Sequence, residues 1–386
     1  MKNAGNKKIF VLVPSLCIGG QERQAILLAE QLRKIADCRI VVFFNTAPCY
    51  STDMEVVNLH LPPCRGKAGK AIQQIRRALR LTRLKRKYGT DLVISYGDTA
   101  NLTNILSKGP GERVVSLRIS WSAEYSAIKK YIYKKSSRIL CQTVAMREIL
   151  LRNYKNVTQK TDVFYNIFDM EGIEKKACEP CELEFGEVFN IISVGRLEKQ
   201  KGFRHLIAAF AHMNHRIPNV KLIILGEGSE RKNLEALAKC LGLEENIFFA
   251  GSVPNPYQYM KNADLFVSSS CAEGFPNVLV EAMACGLPVI ATDCETGPRE
   301  ILSFANQESN TAAEIEYSDY GILVPAFQED DIPEPMKEEI LAKAMLELAN
   351  NPEKREHYAF LARKRAYEFS IQNAKEKING LIEYTE

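Results

Sequence analysis

The sequence predicts an α/β fold in which two domains each contain an open parallel sheet. A chain of 386 residues is longer than a single hydrophobic core usually organises, so two domains are expected. Short apolar runs such as KKIFVLV alternate with amphipathic stretches such as AILLAEQLRKI, a pattern typical of parallel strands joined by helices. The stretch 263–301 contains strand, turn, helix and strand in one continuous βαβ unit.

The residues of this βαβ unit predict each of its parts. ADLFVSSS is a short apolar run suited to a buried strand, and CAEGFPN contains Gly274 and Pro276, which favour a tight turn. VLVEAMACG has helical apolar spacing behind Asn277, which we expect to be the N-cap, and PVIAT is the next strand. The loop and the amino end of the helix should therefore lie at the carboxyl end of a strand, where open α/β sheets bind ligands.

Two carboxylates occur in the loop and the helix of this unit. Glu273 is in the loop and Glu281 is on the helix, and backbone N–H groups around Phe275 to Val278 should point towards the same place. Carboxylates accept hydrogen bonds from sugar hydroxyls, whereas the amino end of a helix favours an anion. The alternative is an ordinary βαβ unit with surface carboxylates.

The segment EGFPNVLVEAMACGLPVIAT resembles the E-x7-E element of the retaining nucleotide-sugar glycosyltransferases of family 4. It is similar to bacterial transferases that build lipid-linked glycans and surface polysaccharides. The resemblance implies the GT-B fold, an α/β architecture with two Rossmann-like doubly wound domains facing across a cleft. It also implies that Glu281 holds the ribose hydroxyls of the donor, and that Glu273, with N–H groups of residues 274–277, fixes the hydroxyls of the donor sugar.

A second motif, GRLEKQKG, places Arg196 and Lys201 on either side of a short loop. Two cations beside a helix start suit one anion, such as a leaving nucleoside diphosphate, although a solvated loop is the alternative. The motif resembles the family's GRLxxxKG element, so we expect Glu273, Arg196 and Lys201 to act in catalysis. The expected donor-binding residues are Gly19, Gly20, Gly226, Val253, Gly274, Phe275, Pro276, Asn277, Val278 and Glu281.

The first half of the chain carries the residues expected to bind the acceptor. CIGGQER follows the first strand and resembles the glycine loop of the family, which lies over the acceptor and the donor phosphates. Many members have a histidine near the strand end that corresponds to RVVSLRISW, but none of the five histidines falls there. An arginine suits a phosphate instead, and Trp121 has plain packing as an alternative role. The expected acceptor-binding residues are Gln21, Arg23, Asp98, Arg118, Ser120 and Trp121.

The resemblance also implies the domain boundaries, because YNIFD is similar to the family's entry into the interdomain linker. We expect residues 1–168 to form the acceptor domain and residues 188–369 the donor domain, with 169–187 as the polar linker. A C-terminal helix at about 370–386 should cross back to the first domain, as is common in GT-B proteins.

Charge is distributed unequally along the chain. Residues 1–168 contain 29 Lys and Arg against 11 Asp and Glu, whereas the remainder contains 22 basic and 36 acidic residues. The first half should therefore face an anionic partner. Its most basic stretch, 65–87, has ten basic residues and no acidic one. RNA is disfavoured as its partner because no aromatic residues are interleaved with these charges.

The same stretch has helical apolar periodicity, with Ile72, Ile75, Leu79 and Leu84 on one face. We expect this face to pack on the sheet and the basic side to lie against anionic lipid head groups. The residues predicted to face the membrane are Arg76, Arg77, Arg80, Arg83, Lys85, Arg86 and Lys87.

Several other classes of protein are disfavoured. No apolar run is long enough to span a bilayer, and the N-terminal segment lacks the apolar core of a signal peptide. The eleven cysteines are scattered, with a single CxxC pair at Cys178 and Cys181, so reduced thiols are expected rather than a zinc site. With no Asp-x-Asp motif, neither a metal nor a cofactor is predicted.

These observations predict a cytoplasmic enzyme that is peripheral on the inner face of the cell membrane. It should move a hexose or N-acetylhexosamine from a nucleotide sugar, expected to be UDP-linked, to a polyprenyl-diphosphate saccharide, with retention of anomeric configuration. One alternative is a GT-B transferase with a soluble acceptor. The other is a non-catalytic subunit that binds a nucleotide sugar. No nucleic-acid partner is expected.

Overall fold

The computed structural model describes residues 7–17, 19–46, 50–217, 219–304, 311–330 and 332–383, with the backbone alone at residues 120 and 121. The chain divides into two compact units. The first consists of Met1–Phe168 together with Ile371–Glu386, and the second of Asp169–Ser370.

The first unit contains a seven-stranded sheet. Its elements up to residue 163 are β1 (Lys8–Val13), α1 (Gly20–Arg33), β2 (Asp37–Val42), β3 (Val56–Asn58), α2 (Lys67–Tyr88), β4 (Leu92–Tyr96), α3 (Asp98–Leu106), β5 (Glu112–Leu117), α4 (Ala127–Lys135), β6 (Arg138–Cys141), α5 (Val144–Asn153) and β7 (Thr161–Val163). The strands are all parallel, in the order β3-β2-β1-β4-β5-β6-β7. The strand order reverses between β1 and β4, which is the switch point of a doubly wound sheet.

The second unit contains another seven-stranded sheet. Its elements are α6 (Met170–Ala177), β8 (Phe189–Val194), α7 (Phe203–Asn214), β9 (Val220–Leu225), α8 (Arg231–Cys240), β10 (Ile247–Gly251), α9 (Tyr257–Asn262), β11 (Leu265–Ser268), α10 (Asn277–Ala284), β12 (Val289–Thr292), α11 (Pro298–Leu302), β13 (Glu316–Ser318), β14 (Gly321–Val324), α12 (Pro335–Asn350) and α13 (Pro352–Glu368). Its strand order is β10-β9-β8-β11-β12-β14-β13, with only the β13–β14 pair antiparallel among the described strands. Here the order reverses between β8 and β11. The last helix, α14 (Lys375–Glu383), belongs to the first unit.

Both faces of the first sheet are covered by helices. Ile9 and Val11 of β1 point to the face on which α1 and α14 pack. The alternate residues Phe10 and Leu12 point to the opposite face, where Leu81 of α2 packs together with α3. The continuation of that face under β5 and β6 is covered by α3, α4 and α5. Helices α2, α3, α4 and α5 therefore form one layer on a single face of the sheet.

The segment predicted to be a linker, 169–187, contains a helix at its start. Asp169 caps α6 by accepting a hydrogen bond from the Gly172 N–H at 3.1 Å. Met170, Ile173 and Ala177 are buried on one side of this helix. The polar segment thus contains an amphipathic helix, which the prediction of a linker did not include.

The predicted orientation of α2 is wrong. Ile72, Ile75 and Leu79, expected to pack on the sheet, are each more than half exposed. The side that packs on the sheet consists instead of Gln73, Arg77, Ala78, Leu81 and Lys85, while Leu84 is half-buried.

Two residues predicted to face the membrane, Arg77 and Lys85, are therefore buried. Arg77 donates from Nε and Nη2 to the Leu61 carbonyl at 3.1 and 2.9 Å, and its guanidinium lies 4.4 Å from the centre of the Phe43 ring. Long basic side chains can pack their aliphatic stems as apolar residues do. The polar residues Gln73, Arg77 and Lys85 therefore lie on the inner side of α2, which the prediction had assigned to its apolar residues.

Among the described residues, no helix combines the length and the apolar character needed to cross a bilayer.

Candidate active site

The centre of the candidate site is the loop 269–276, which connects β11 to α10 at the carboxyl end of the strand. Glu273 in this loop is only 7% exposed. Its Oε1 accepts hydrogen bonds from Lys201 Nζ at 2.5 Å and from Ser270 Oγ at 2.7 Å. A carboxylate and an ammonium that are 72 residues apart in the chain are therefore paired.

The turn that carries Lys201 is joined to the Glu273 loop by further hydrogen bonds. Ser269 Oγ donates to the Lys201 carbonyl at 3.0 Å, and Gln200 Nε2 donates to the Ala272 carbonyl at 2.7 Å. The Cys271 N–H donates to the Gln200 carbonyl at 2.8 Å. These hydrogen bonds fix the separation of the two loops. Lys201 and Glu273 are therefore held close together by the backbone as well as by their opposite charges.

Glycine is required at two positions of these loops. Gly202 ends the 3₁₀ turn Lys199–Lys201 with φ +62°, and an added Cβ would lie 2.1 Å from the Ser269 carbonyl oxygen. Gly226, after β9, has φ +141°, and an added Cβ would lie 1.8 Å from the Gly195 carbonyl oxygen. A side chain at either position would separate loops that the site needs in contact.

The predicted donor residues of the second unit lie at one edge of its sheet. Arg196 follows β8 and is exposed, Gly226 follows β9, and Val253 follows β10. These strands and β11 are neighbours, so the loops at their carboxyl ends flank the reversal of strand order between β8 and β11. That edge is where doubly wound sheets bind ligands.

The helix after the Glu273 loop begins at Asn277, so the prediction of Asn277 as N-cap is wrong. Pro276 is the N-cap and supplies no side-chain hydrogen bond there. Phe275 is buried, and its ring packs edge-on against Phe369 with centroids 5.3 Å apart. Val278 lies in the first turn of α10, and Glu281 is buried further along it.

The first unit has a comparable arrangement of loops. Gly19 and Gly20 follow β1 at the start of α1, and the next residue, Gln21, reaches the turn after β4, where an added Cβ on Gly97 would meet the Gln21 amide at 2.8 Å. Asp98 Oδ1 accepts a hydrogen bond from Ser122 Oγ at 3.0 Å. The predicted acceptor residues Gln21 and Asp98 therefore lie at the switch point of the first sheet.

Arg118, immediately after β5, is already held by neighbours. Its Nη1 donates to Asn166 Oδ1 at 2.7 Å, and its guanidinium lies 3.9 Å from the centre of the Tyr96 ring. Burial lowers the pKa of Arg118, and the nearby Tyr96 and Glu22 partly offset that effect. Arg23 is half-buried on α1, while the side chains of Ser120 and Trp121 lie outside the described residues.

The sequence analysis did not predict the residues that hold Glu273, a catalytic candidate, and Arg118, an acceptor-binding candidate, in place. Ser270 orients Glu273, Thr296 Oγ1 donates to the Glu273 carbonyl oxygen, and Asn166 orients Arg118. Ser270 stands three residues before Glu273 in SSSCAEG, where a short side chain within reach of the carboxylate is a usable signal. Asn166 offers no comparable signal because it is 48 residues from Arg118.

Within the described ranges, no three His, Cys, Asp or Glu side chains are placed to share a metal ion. The ten cysteines described are free thiols. The positive charge that contacts the Glu273 loop is the ammonium of Lys201.

Comparison with known proteins shows similarity to glycosyltransferases. Residues 182–313 match the family model described as "Glycosyl transferases group 1". A glycosyltransferase of Methanocaldococcus jannaschii, MJ1059, is 32% identical over 343 residues, which cover 81% of this chain and 84% of that protein.

A second relative has a printed activity. It is the Campylobacter jejuni N-acetylgalactosamine-N,N'-diacetylbacillosaminyl-diphospho-undecaprenol 4-alpha-N-acetylgalactosaminyltransferase. This enzyme is 30% identical over 327 residues, which cover 80% of this chain and 87% of the enzyme.

The fold is shared with a solved Anabaena protein, Alr3699/HepE, crystallised in complex with UDP-glucose. The TM-score is 0.75 at 22% sequence identity, with 97% of this chain and 98% of that chain covered. The α/β fold class predicted from the sequence, GT-B with two Rossmann-like doubly wound sheets, is thereby confirmed.

Proposed function

The chain belongs to the group 1 glycosyl transferases, and on that premise we propose that it transfers a hexose or N-acetylhexosamine from a UDP-sugar to a lipid-linked saccharide. It is a glycosyltransferase of the GT-B type, related to transferases of undecaprenol-linked saccharides. The acceptor of the proposed reaction is a polyprenyl-diphosphate saccharide used in surface polysaccharide or glycan assembly. The anomeric configuration of the donor is retained.

The observation that carries this proposal is the buried pairing of Lys201 with Glu273 at the switch point of the second sheet. A carboxylate that is held on one oxygen by Lys201 and Ser270 keeps its second oxygen for hydroxyl groups of a sugar. An ammonium has three N–H groups. Lys201 can therefore keep Glu273 while it donates to a phosphate oxygen of the donor.

This arrangement solves an electrostatic difficulty of the reaction. A donor diphosphate and the Glu273 carboxylate are both anionic and must lie close to the same sugar. Lys201 between them screens their repulsion and gains strength as negative charge grows on the leaving diphosphate. Arg196, exposed at the end of β8, adds a second positive charge at the same edge. These two cations take the role of a divalent metal, which makes the proposed reaction independent of metal.

Retention follows in this proposal from attack on the same face as departure. The acceptor hydroxyl approaches the anomeric carbon from the side of the leaving diphosphate, and a diphosphate oxygen takes the proton of that hydroxyl. The glycosidic bond to the acceptor forms as the bond to the diphosphate breaks, and UDP leaves with the proton. No cofactor takes part.

The acceptor is proposed to bind at the carboxyl edge of the first sheet. Arg118 supplies a cation there for a phosphate of the lipid diphosphate, and Asp98 and Gln21 supply hydrogen-bonding groups. A lipid-linked acceptor stays in a bilayer, so the enzyme works on the cytoplasmic surface of the membrane. The exposed cations of α2, namely Arg76, Arg80, Arg83, Arg86 and Lys87, are the groups that contact anionic lipid.

Two measurements test the proposal. Thermal shift with UDP, ADP and GDP should show stabilisation by UDP above the others, because binding to the folded state raises the midpoint. Mass spectrometry of reactions with UDP-sugars and polyprenyl-diphosphate saccharides should then detect the added sugar. Transfer to soluble glycans and not to the lipid-linked ones would refute the acceptor. Binding of UDP-sugars without hydrolysis or transfer would refute catalysis.

A further inference from the structure

We propose that the first unit has a second membrane-contact element, α4 with the residue segment before it, which acts together with α2 on an anionic bilayer. This inference rests on the proposed function and deepens it, because it names the surface that brings the enzyme to a lipid-linked acceptor. The interfacial stripes are defined as Ile72, Ile75 and Leu79 on α2, and Tyr125, Ile128 and Tyr131 at α4.

The first support is the exposure of these six side chains, which ranges from 45% to 63%. Single exposed apolar residues are normal on soluble proteins. Here Ile72, Ile75 and Leu79 recur at intervals of three and four residues on α2, which is the spacing of one helix face. Ile128 and Tyr131 are three residues apart on α4, and Tyr125 precedes that helix. On α4, the inner side is occupied by Ile132 and Tyr133, which are buried in the core. Each helix therefore buries one set of side chains in the core and leaves further apolar side chains exposed.

The second support is direction. A helix that packs on a sheet exposes the side opposite to the sheet, and α2, α3 and α4 cover the same face. Helix α3 lies between the other two: Gln74 of α2 donates to Thr103 Oγ1 of α3 at 2.8 Å, and α3 also contacts α4. With neighbouring helices about 10 Å apart, the axes of α2 and α4 lie about 20 Å apart in the same helix layer. Their exposed side chains therefore lie on the same side of the sheet, where one bilayer can reach both.

The third support is charge, which decides what contacts these side chains. Neither helix contains an acidic residue. The stripe on α4 is interleaved with Lys129, Lys130, Lys134 and Lys135, and the exposed side of α2 continues into Arg83, Arg86 and Lys87. An apolar stripe among cations is the pattern of helices that lie at a bilayer interface with anionic head groups. A second copy of this chain would instead bring cations against cations, which disfavours self-association.

The fourth support is the fixed presentation of Tyr125. Its ring stacks on Tyr154 with centroids 5.8 Å apart and an interplanar angle of 17°. The Tyr154 hydroxyl accepts a hydrogen bond from the Ser126 N–H at 2.7 Å and donates to the Glu124 carbonyl at 2.8 Å. The segment that enters α4 is therefore held with an aromatic ring facing outwards. Tyrosine is enriched at membrane interfaces because its ring is apolar and its hydroxyl is polar.

Flotation of the full-length protein with vesicles tests this element. The vesicles contain phosphatidylcholine with phosphatidylglycerol, and pure phosphatidylcholine vesicles serve as the uncharged comparison. The double variant Ile128→Ser/Tyr131→Ser should bind anionic vesicles about tenfold more weakly, because it loses the burial of two apolar side chains. In about 0.5 M salt the Debye length is about 4 Å. Wild type should keep a bound fraction there that the double variant lacks.

The matched control is Phe360→Ser, which removes a 69% exposed ring from α13 of the second unit and should leave vesicle binding unchanged. Equal binding of the double variant and wild type overturns the proposal. A change in sedimentation mass with vesicle binding intact also overturns it, since the stripes would then form a protein interface. Transfer to a water-soluble, short-chain diphosphate acceptor should not change in the double variant. If wild type glycosylates no acceptor at all, the proposed function fails while the vesicle result still stands.

Discussion

Replacing Lys201 by alanine tests whether the buried ion pair is the catalytic centre. The change removes the ammonium whose Nζ lies 2.5 Å from Glu273 Oε1. It leaves the Ser270 hydroxyl, at 2.7 Å, facing a carboxylate that is 7% exposed. Two effects follow and are measured separately: a loss of stability, because a buried anion has lost its cation, and a loss of turnover, because the leaving diphosphate has lost one.

Each effect has an expected size. Breaking a buried ion pair by removing one partner costs several kcal/mol, but the Lys201 side chain is 19% exposed. Water can therefore enter, and we expect the free energy of unfolding to fall by about 1–2 kcal/mol. A preorganised donor to developing negative charge contributes about 2.7–4 kcal/mol to the barrier. We expect kcat to fall by at least about ten- to a hundredfold, since Arg196 remains to compensate in part.

The assay is steady-state release of UDP in the presence of acceptor, together with urea unfolding followed by far-ultraviolet circular dichroism. Lys199→Ala is the matched control, because Lys199 is an exposed lysine of the same 3₁₀ turn. It should keep its turnover within about twofold, as surface substitutions away from a site usually do. Glu273→Gln completes a double-mutant cycle, in which the stability cost of Lys201→Ala should shrink because no buried anion is left.

Turnover of a folded Lys201→Ala variant at the wild-type rate would refute the assignment of Lys201 to the diphosphate. An additive cycle would refute the energetic importance of its pairing with Glu273. The two outcomes are independent, because the ion pair can be structural without the lysine acting in catalysis.

Three further predictions concern single contacts. Ser270→Ala removes the 2.7 Å hydrogen bond to the buried Glu273 carboxylate, so we expect kcat/KM to fall about tenfold and the free energy of unfolding to fall by about 1–3 kcal/mol, measured by steady-state kinetics and urea unfolding. Gly226→Ala forces a Cβ to within 1.8 Å of the Gly195 carbonyl oxygen, so urea unfolding should show a loss of about 2 kcal/mol or more and UDP binding should weaken. Burial lowers the pKa of Lys85 from 10.5 to about 8, so between these values the unfolded chain binds more protons and wild-type stability should rise with pH. Lys85→Met should abolish that rise and be more stable at neutral pH by up to about 3 kcal/mol, measured by urea unfolding across pH.

The local elements around Glu273 could be predicted from the sequence because each is specified by neighbouring residues. The apolar run forms β11, the segment with Gly274 and Pro276 forms the loop, and the stretch with helical apolar spacing forms α10. The predicted start of α10 differs from the observed start by one residue, an error that is common at helix ends. That the loop meets Lys201 was expected only through family resemblance, because spacing along the chain does not reveal a contact 72 residues away.

The orientation of α2 could not be predicted, for a physical reason. Its sequence contains two sides that can pack on a sheet, one with Ile72 and Leu79 and the other with Ala78 and Leu81. Apolar residues alone favour the first side. The side with Ala78 and Leu81 also contains Arg77, which stacks on Phe43 and donates to the carbonyl of Leu61, between β3 and α2. These contacts favour that side, and they cannot be predicted from the sequence of the helix because they form only when the sheet is assembled.

Lys201 and Arg118 are both held in place by neighbouring side chains, but the chemistry of those neighbours differs. Lys201 is oriented by an anion, Glu273, so a diphosphate must share it. Arg118 is oriented by the amide of Asn166 and the ring of Tyr96, which fix its direction without neutralising its charge. Burial lowers the pKa of Arg118, and the nearby Tyr96 and Glu22 offset that effect only in part. An oriented and incompletely compensated cation gains most from an arriving anion. These contacts are the physical reason for our proposal that Arg118 binds a phosphate of the acceptor.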